Sequence, residues 1–244
     1  MQNLFELISS KTYPGRGLVA FRPKGVNKLF CVYWIMGRSE NSRNRVFEEF
    51  EGNIRTVPAD ASKVEDAHLI IYNARVSIPN RNVVILTNGD QTDTIVDFVK
   101  SGDDEKVAFM QALMTRTLED DAPNFTPRIS MMVNTKSGEV AFSCLKCANA
   151  ESEIPQRCFN FYDGLSEGEG YLLTTYVDDS KILKASCSEP VKVACDSECL
   201  SDFKDSLWKV LNDDNKISLY VEEIDLETGK SVGEFVNKYE KVEA

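Results

Sequence analysis

A chain of 244 residues with 42% hydrophobic and 27% charged side chains can bury a sizeable core and is not a disordered polymer. Its formal net charge of −11, with no basic block, argues against double-stranded nucleic acid or an anionic membrane as the main partner. No run approaches the roughly 20 apolar residues of a membrane helix. The opening Met1-Gln2-Asn3-Leu4-Phe5-Glu6 lacks a secretory pattern, and seven irregularly spaced cysteines suit reduced thiols, so a cytoplasmic protein is expected.

In chain order, residues 17–21 and 29–36 are short, rich in β-branched and aromatic side chains, and predict strands. Directly behind them, Gly37-Arg38-Ser39-Glu40-Asn41-Ser42-Arg43-Asn44-Arg45 concentrates three guanidinium groups. If this segment is extended, Arg43 and Arg45 point the same way and can converge on one phosphate or carboxylate; the plainer reading is a salt-bridged surface loop. Residues 69–76 predict a third strand carrying Tyr72, Asn73 and Arg75, and a tyrosine there is by default an amphipathic core residue. The strand at residues 83–87 runs into Asn88-Gly89-Asp90-Gln91-Thr92-Asp93-Thr94. Asn-Gly favours a tight turn and Asp93 can cap a helix over 94–100. Asn88, Thr92 and Thr94 exceed what a turn needs, and such groups at a helix start can hold a polar ligand.

A longer helix is expected over 103–118, with Val107, Met110, Leu113, Met114 and Thr117 on its buried face. It closes on Glu119-Asp120-Asp121, acids that oppose the helix dipole. Pro127 then holds Thr126 extended and fixes where Arg128 leaves the loop. Further strands are expected at 129–133, 139–144, 171–177 and 217–223, a helix at 197–211, and a hairpin through Glu227-Thr228-Gly229-Lys230 into 231–239. With no repeat or linker, the pattern predicts a single α+β domain over 1–244, with two antiparallel sheets and helices outside.

Familiar catalytic sets are missing. His68 is the sole histidine and has no triad signature around it, and there is no Walker loop or dinucleotide fingerprint. Cys144-x-x-Cys147 lacks the second pair that zinc would want, since Cys187, Cys195 and Cys199 supply none, and buried or edge thiols are expected there.

Taken in order, Tyr13-Pro14-Gly15-Arg16-Gly17, Gly37-Arg38-Ser39 with Asn44-Arg45, Tyr72-Asn73, the block from Thr87 to Ile95, and Thr126-Pro127-Arg128-Ile129 resemble the archaeal-type inosine monophosphate cyclohydrolase family. The resemblance is fullest over residues 13–145 and thins beyond 150, leaving an extended C-terminal third (about 150–244). It implies a four-layer αββα sandwich similar to the N-terminal nucleophile hydrolases. Self-processing is not carried over, because Met1-Gln2 offers no nucleophile. The implied activity is ring closure of 5-formamidoimidazole-4-carboxamide ribotide to inosine monophosphate with loss of water, needing no metal or organic cofactor. The partner would be a small purine ribotide, with a homo-oligomer left open. By resemblance, Arg45, Tyr72 and Glu119 (or Asp120, depending on one gap) are the catalytic candidates. Arg38, Arg43, Asn73, Asn88, Thr92, Asp93, Thr94 and Arg128 are the substrate-binding candidates.

Overall fold

Residues 28–36 are apolar almost without a break, as suits a strand covered on both faces. A computed structural model describes residues 1–64, 67–149, 152–177, 183–186, 188–197 and 199–242. The side chain of His68 and all of Cys187 lie outside the described residues.

The elements are β1 (Gln2–Asn3), α1 (Leu4–Ser9), β2 (Gly17–Arg22), β3 (Lys28–Met36), α2 (Glu40–Arg43), β4 (Val46–Phe50), β5 (Asn53–Val57), α3 (Ala67–Ile70), β6 (Tyr72–Ile78) and β7 (Val83–Thr87). Then come α4 (Gln91–Ser101), α5 (Glu105–Met114), β8 (Arg128–Asn134), β9 (Val140–Cys147), β10 (Pro155–Tyr162), β11 (Glu169–Thr174), β12 (Val191–Ala194), α6 (Leu200–Val210), β13 (Lys216–Asp225) and β14 (Ser231–Asn237). Among the described residues they form two seven-stranded sheets, in the orders β1-β12-β11-β2-β3-β13-β14 and β10-β9-β8-β7-β6-β5-β4. The β1–β12 pair is parallel, and the other described pairings are antiparallel.

Alternation along the strands sorts the apolar side chains into three layers. Between the sheets lie Leu18, Ala20, Tyr33 and Ile35 of the first against Tyr72, Leu86, Met131 and Phe142 of the second. On the outer face of the first sheet, Val19, Phe21, Phe30 and Trp34 receive α1 and α6. Phe203 of α6 stands edge-on to Phe30 at 5.5 Å and stacks on Phe21 at 5.9 Å, fixing that helix to the sheet. On the outer face of the second sheet, Ile85, Val83 and Met132 receive α4 and α5. The expected α+β sandwich of two sheets with helices outside is therefore observed.

Several boundaries differ from the sequence reading. Leu69-Ile70 lies in the turn of helix α3, which buries Ile70 and leaves Ile71 exposed, and the strand starts only at Tyr72. Helix α4 starts at Gln91, so Asp93 lies in its first turn and does not cap it. Helix α5 ends at Met114 and packs through Ala108, Phe109, Ala112 and Leu113, while Val107 (44% exposed) and Met114 (60%) face outward. The two alanines let α5 approach α4 closely, a preference that counting large apolar residues overlooks. Consequently Glu119, Asp120 and Asp121 belong to the loop after α5 and not to its C-terminus. Cys144 lies in the inter-sheet core and Cys147 ends β9, as expected of strand thiols.

One irregularity positions Tyr72. The β5–β6 ladder slips between Ile54 and Arg55, which pair with Arg75 and Asn73 respectively. This bulge lets Ala74 and Arg75 both face the inter-sheet layer, where Arg75 reaches Glu222 of the opposite sheet. Val76 then turns outward against the helices.

Candidate active site

A cavity of about 620 Å³ opens at the end of the sandwich where β3 runs out, β2 and β8 begin, and β7 and β11 finish. Its walls include Tyr13, Arg16, Arg38, Arg45, Glu119 and Tyr176. A volume of this size suits a nucleotide-sized ligand.

The approach to β2 forms one wall. Gly15 adopts φ +74°, and a Cβ there would lie 2.1 Å from Thr175 Oγ1 and 2.6 Å from the Tyr176 ring. The bend is held by Trp34 Nε1 donating to Gly15 O at 3.1 Å and by Arg16 N donating to Thr175 Oγ1 at 3.1 Å. It delivers Arg16 into the cavity, within electrostatic reach of the phenols of Tyr13, Tyr176, Tyr72 and Tyr33. Arg16 is partly exposed, yet its Nε is buried without a hydrogen-bond partner. Tyr13 stacks on Tyr176 at 5.9 Å, and the Arg38 guanidinium lies 4.7 Å from the Tyr13 ring centre.

The arginine-rich segment is a helical turn, not an extended strand. Ser39 and Ser42 cap it reciprocally, Ser42 N donating to Ser39 Oγ at 3.1 Å and Ser39 N to Ser42 Oγ at 3.0 Å. The turn separates the two arginines expected to converge. Arg43 turns away, donating to Gly37 O at 3.1 Å and Asn215 Oδ1 at 3.4 Å. Arg45 turns inward and is only 2% exposed; its Nε donates to Ser42 O at 2.8 Å, and its Nη1 has no partner. Burial and the nearby Arg16 lower its affinity for its proton. Within reach of both guanidiniums, the hydroxyls of Tyr33 and Tyr72 share a hydrogen bond of 2.7 Å. Burial and the adjacent Tyr72 raise the Tyr33 phenol well above its ordinary value, so Tyr33 remains protonated at neutral pH.

Acids form the other wall. Glu119, with a side chain 14% exposed, faces Arg128, whose Nη1 and Nη2 approach its carboxylate at 3.0 and 3.1 Å. Burial pushes the Glu119 carboxyl above its ordinary range, Arg128 opposes this, and Asp90 and Asp121 reinforce it. Arg128 also donates to Asp90 at 2.6 Å and to Gln91 Oε1 at 3.0 Å. Asp121 accepts from Thr126 N at 2.7 Å and from its hydroxyl, and Thr126 Oγ1 lies 2.8 Å from Tyr176 Oη. Burial pushes the Tyr176 phenol up to about 12.

The model of the family described as IMP cyclohydrolase-like protein matches residues 13–229. The chain belongs to this family. Relatives named IMP cyclohydrolase include a Methanopyrus kandleri protein, 28% identical over 173 residues (70% of this chain, 78% of the relative). One from Methanococcus maripaludis is 31% identical over 165 residues (67% and 74%), and one from Methanocaldococcus jannaschii 26% identical over 179 residues (70% and 78%). The family match runs through the C-terminal third, which the quoted motifs reached only thinly, and so includes Thr175 and Tyr176.

Of the residues that the family resemblance singled out, Arg38, Arg45, Asn88, Glu119 and Asp120 line the cavity. Tyr72 is buried against Tyr33, beside both guanidiniums. Asp120 is exposed, whereas Glu119 is the acid held by Arg128. Arg128 therefore stands behind Glu119. The amide of Asn88 is committed internally, donating to Pro127 O at 2.9 Å and accepting from Ile129 N at 2.8 Å and Gln91 Nε2 at 3.0 Å. Asn73, Thr92, Asp93 and Thr94 lie off the cavity wall. Asn73 donates to Asp93 Oδ1 at 2.7 Å, the Thr92 hydroxyl pairs with Thr87 at 2.6 Å, and Thr94 Oγ1 accepts from Arg116 at 3.4 Å. These four brace the turn that presents Asn88. Cavity residues that the sequence reading did not single out for a role include Tyr13, Arg16, Asn41, Asp121 and Tyr176. Tyr13 and Arg16 stood inside a quoted family motif, which was the available signal; Tyr176 had none.

Proposed function

We propose that this chain is an inosine monophosphate cyclohydrolase, closing the ring of 5-formamidoimidazole-4-carboxamide ribotide in purine synthesis. One juxtaposition carries the reading. In a member of this family, a single cavity combines the buried guanidinium of Arg45 and the partly exposed one of Arg16 with the largely covered carboxylate of Glu119, whose proton affinity is raised.

The reaction forms a bond from the carboxamide nitrogen to the formyl carbon. The departing water carries the formyl oxygen with one proton from each nitrogen. A weak amide nucleophile needs to be pressed against its target, and the developing oxyanion needs donors. Tyr72, its hydroxyl shared with Tyr33, serves the oxyanion side. Arg45 sets fixed positive charge against the substrate, and Arg38 serves the ligand at the rim. Glu119 takes or returns protons, its affinity tuned between burial and Arg128. Arg43, Asn73, Thr92, Asp93 and Thr94 act through the turns they brace.

The layering supports a likeness to the N-terminal nucleophile hydrolases, without their self-processing chemistry. The chain would work as one domain in the cytoplasm. Incubating purified protein with the formamido ribotide and following purine absorbance tests the reading. A rate equal to the uncatalysed one overturns it, and Tyr72→Phe is expected to lower turnover without unfolding the protein.

A further inference from the structure

A hydroxyl pair crosses the apolar layer between the sheets, Tyr33 Oη of β3 lying 2.7 Å from Tyr72 Oη at the start of β6. Each phenol brings one hydrogen, and the shared bond uses only one of the two. Tyr33 is fully buried in that layer, with the Phe47 ring 5.7 Å from its own, and among the described residues its hydroxyl has Tyr72 as its only hydrogen-bond partner. If Tyr72 were the donor, the Tyr33 hydrogen would be shut in without an acceptor, which is costly for a buried group. The guanidiniums of Arg16 and Arg45 nearby offer only donors. Burial, and after it the neighbouring Tyr72, hold the Tyr33 phenol well above its ordinary value, so its hydrogen stays in place. Tyr72 is 5% exposed, and Thr56 clamps its backbone, the Thr56 hydroxyl accepting from Tyr72 N at 3.0 Å and donating to Tyr72 O at 3.2 Å.

We infer that Tyr33 is a positioning residue, which donates to Tyr72 and so leaves the Tyr72 hydrogen for the developing oxyanion. This rests on the cyclohydrolase reading for the identity of the group that Tyr72 meets. The direction decides what Tyr72 can do. With its hydrogen spent on Tyr33, it would turn only lone pairs to the ligand and would repel an oxyanion. With a hydrogen bond received from Tyr33, its own O–H is polarised and becomes the stronger donor. The donor is then aimed before charge develops, and no reorganisation is needed at the moment of reaction. The oxyanion exists only in the transition state, so Tyr33 acts on turnover and not on ligand binding.

The test is a double-mutant cycle of Tyr33→Phe, Tyr72→Phe and the double variant, each first verified as folded by circular dichroism, with steady-state kinetics on the formamido ribotide. Tyr72→Phe should lower kcat by about 10²–10³-fold, the scale of one lost oxyanion donor. Tyr33→Phe should lower kcat by about tenfold and leave KM within about threefold. In the Tyr72→Phe background, Tyr33→Phe should cost less than about twofold further, because its effect passes through Tyr72. Near-normal kcat in a folded Tyr33→Phe protein would overturn the assignment. So would a rise in KM in place of the fall in kcat, or a full further tenfold loss in the Tyr72→Phe background. Hydroxyl-proton NMR of protein with ring-labelled tyrosine reads the direction without turnover. The downfield, slowly exchanging proton should correlate with the Tyr33 ring, vanish in Tyr33→Phe and move upfield in Tyr72→Phe. A downfield proton on the Tyr72 ring, with the Tyr33 hydroxyl upfield, would reverse the direction and overturn the assignment. Wild type without turnover but with the downfield proton on Tyr33 would sustain Tyr33 as donor to Tyr72 and remove the cyclohydrolase reading. Turnover with the direction reversed would do the opposite.

Discussion

Replacing Glu119 by glutamine tests which acid faces the chemistry. The carboxylate accepts from both terminal nitrogens of Arg128, at 3.0 and 3.1 Å, with a side chain 14% exposed. Gln keeps the shape and one acceptor but cannot carry the proton. Arg128 retains Asp90 at 2.6 Å, Gln91 Oε1 at 3.0 Å and Thr117 O at 3.1 Å, so the structural loss is one charge-assisted contact, about 1.5–3 kcal/mol. A general acid–base group contributes roughly 10²–10⁴ in rate, equivalent to about 2.7–5.5 kcal/mol of barrier. Glu119→Gln should therefore lose roughly 10²-fold or more in kcat while remaining folded, whereas Asp120→Asn should stay close to wild type. Steady-state absorbance kinetics read this directly. A folded Glu119→Gln protein with near-normal kcat, or a larger loss in Asp120→Asn, would refute the assignment.

The pH dependence carries a sign as well. Burial raises the Glu119 carboxyl above its ordinary value of 4.5, and Arg128 opposes that rise. If Glu119 works ionised, activity falls on the acid side with a midpoint above the ordinary glutamate range. In Arg128→Gln the larger of the two opposing cations is gone, while burial, Asp90, Asp121 and the smaller opposing effect of Arg16 remain, so the midpoint should move higher. An unchanged or lower midpoint counts against the scheme. For stability the native state binds the extra proton. Glu119 therefore draws wild-type stability down as pH rises from the unfolded carboxyl's range through the raised native value. The Gln variant lacks that decline, so its deficit relative to wild type should narrow towards neutral pH.

Other outcomes follow from the partners each residue keeps. Arg75→Met leaves Glu222 buried without its cation, at a cost of about 3–5 kcal/mol, and pairing it with Glu222→Leu should recover most of the loss in urea unfolding. Gly15→Ala forces a left-handed φ on alanine and drives Cβ into Thr175 and Tyr176, so it should destabilise by more than about 1 kcal/mol and weaken ligand binding, both readable by thermal melts and calorimetry. Arg45→Ala should lower kcat/KM by on the order of 10²-fold, whereas Arg43→Ala, whose guanidinium donates to Gly37 O and Asn215 Oδ1 away from the cavity, should change it by less than about threefold.

Much of the architecture was legible because strands such as Val83–Thr87 and Lys28–Met36 are short apolar runs with clear stops. Other elements had no such signal. Val46–Phe50 carries Glu48 and Glu49 in its middle, and Pro155–Tyr162 is an edge strand opened by proline. Helix α5 misled because its contact face is built on Ala108 and Ala112, while the larger Val107 and Met114 face outward. The bulge at Ala74-Arg75 breaks the alternation that would otherwise tell which side Arg75 takes.

The site was legible as motifs and not as geometry. Arg38, Arg43 and Arg45 crowd one segment, yet one stacks on Tyr13, one ties the loop to Asn215, and one is buried facing the cavity. Local spacing cannot separate them, because the capped turn from Ser39 to Ser42 rotates Arg43 and Arg45 apart. Nor can residue type separate Arg16 from Arg75, since what distinguishes them is whether the fold supplies a carboxylate. Among the described residues the fold supplies one to Arg75 and Arg128 and sets none in ion-pair contact with Arg16 or Arg45. A buried charge left short of a partner disfavours folding, so Arg45, 2% exposed with its Nη1 unpartnered, is a position that the fold alone does not explain and that a group bound in the cavity would satisfy.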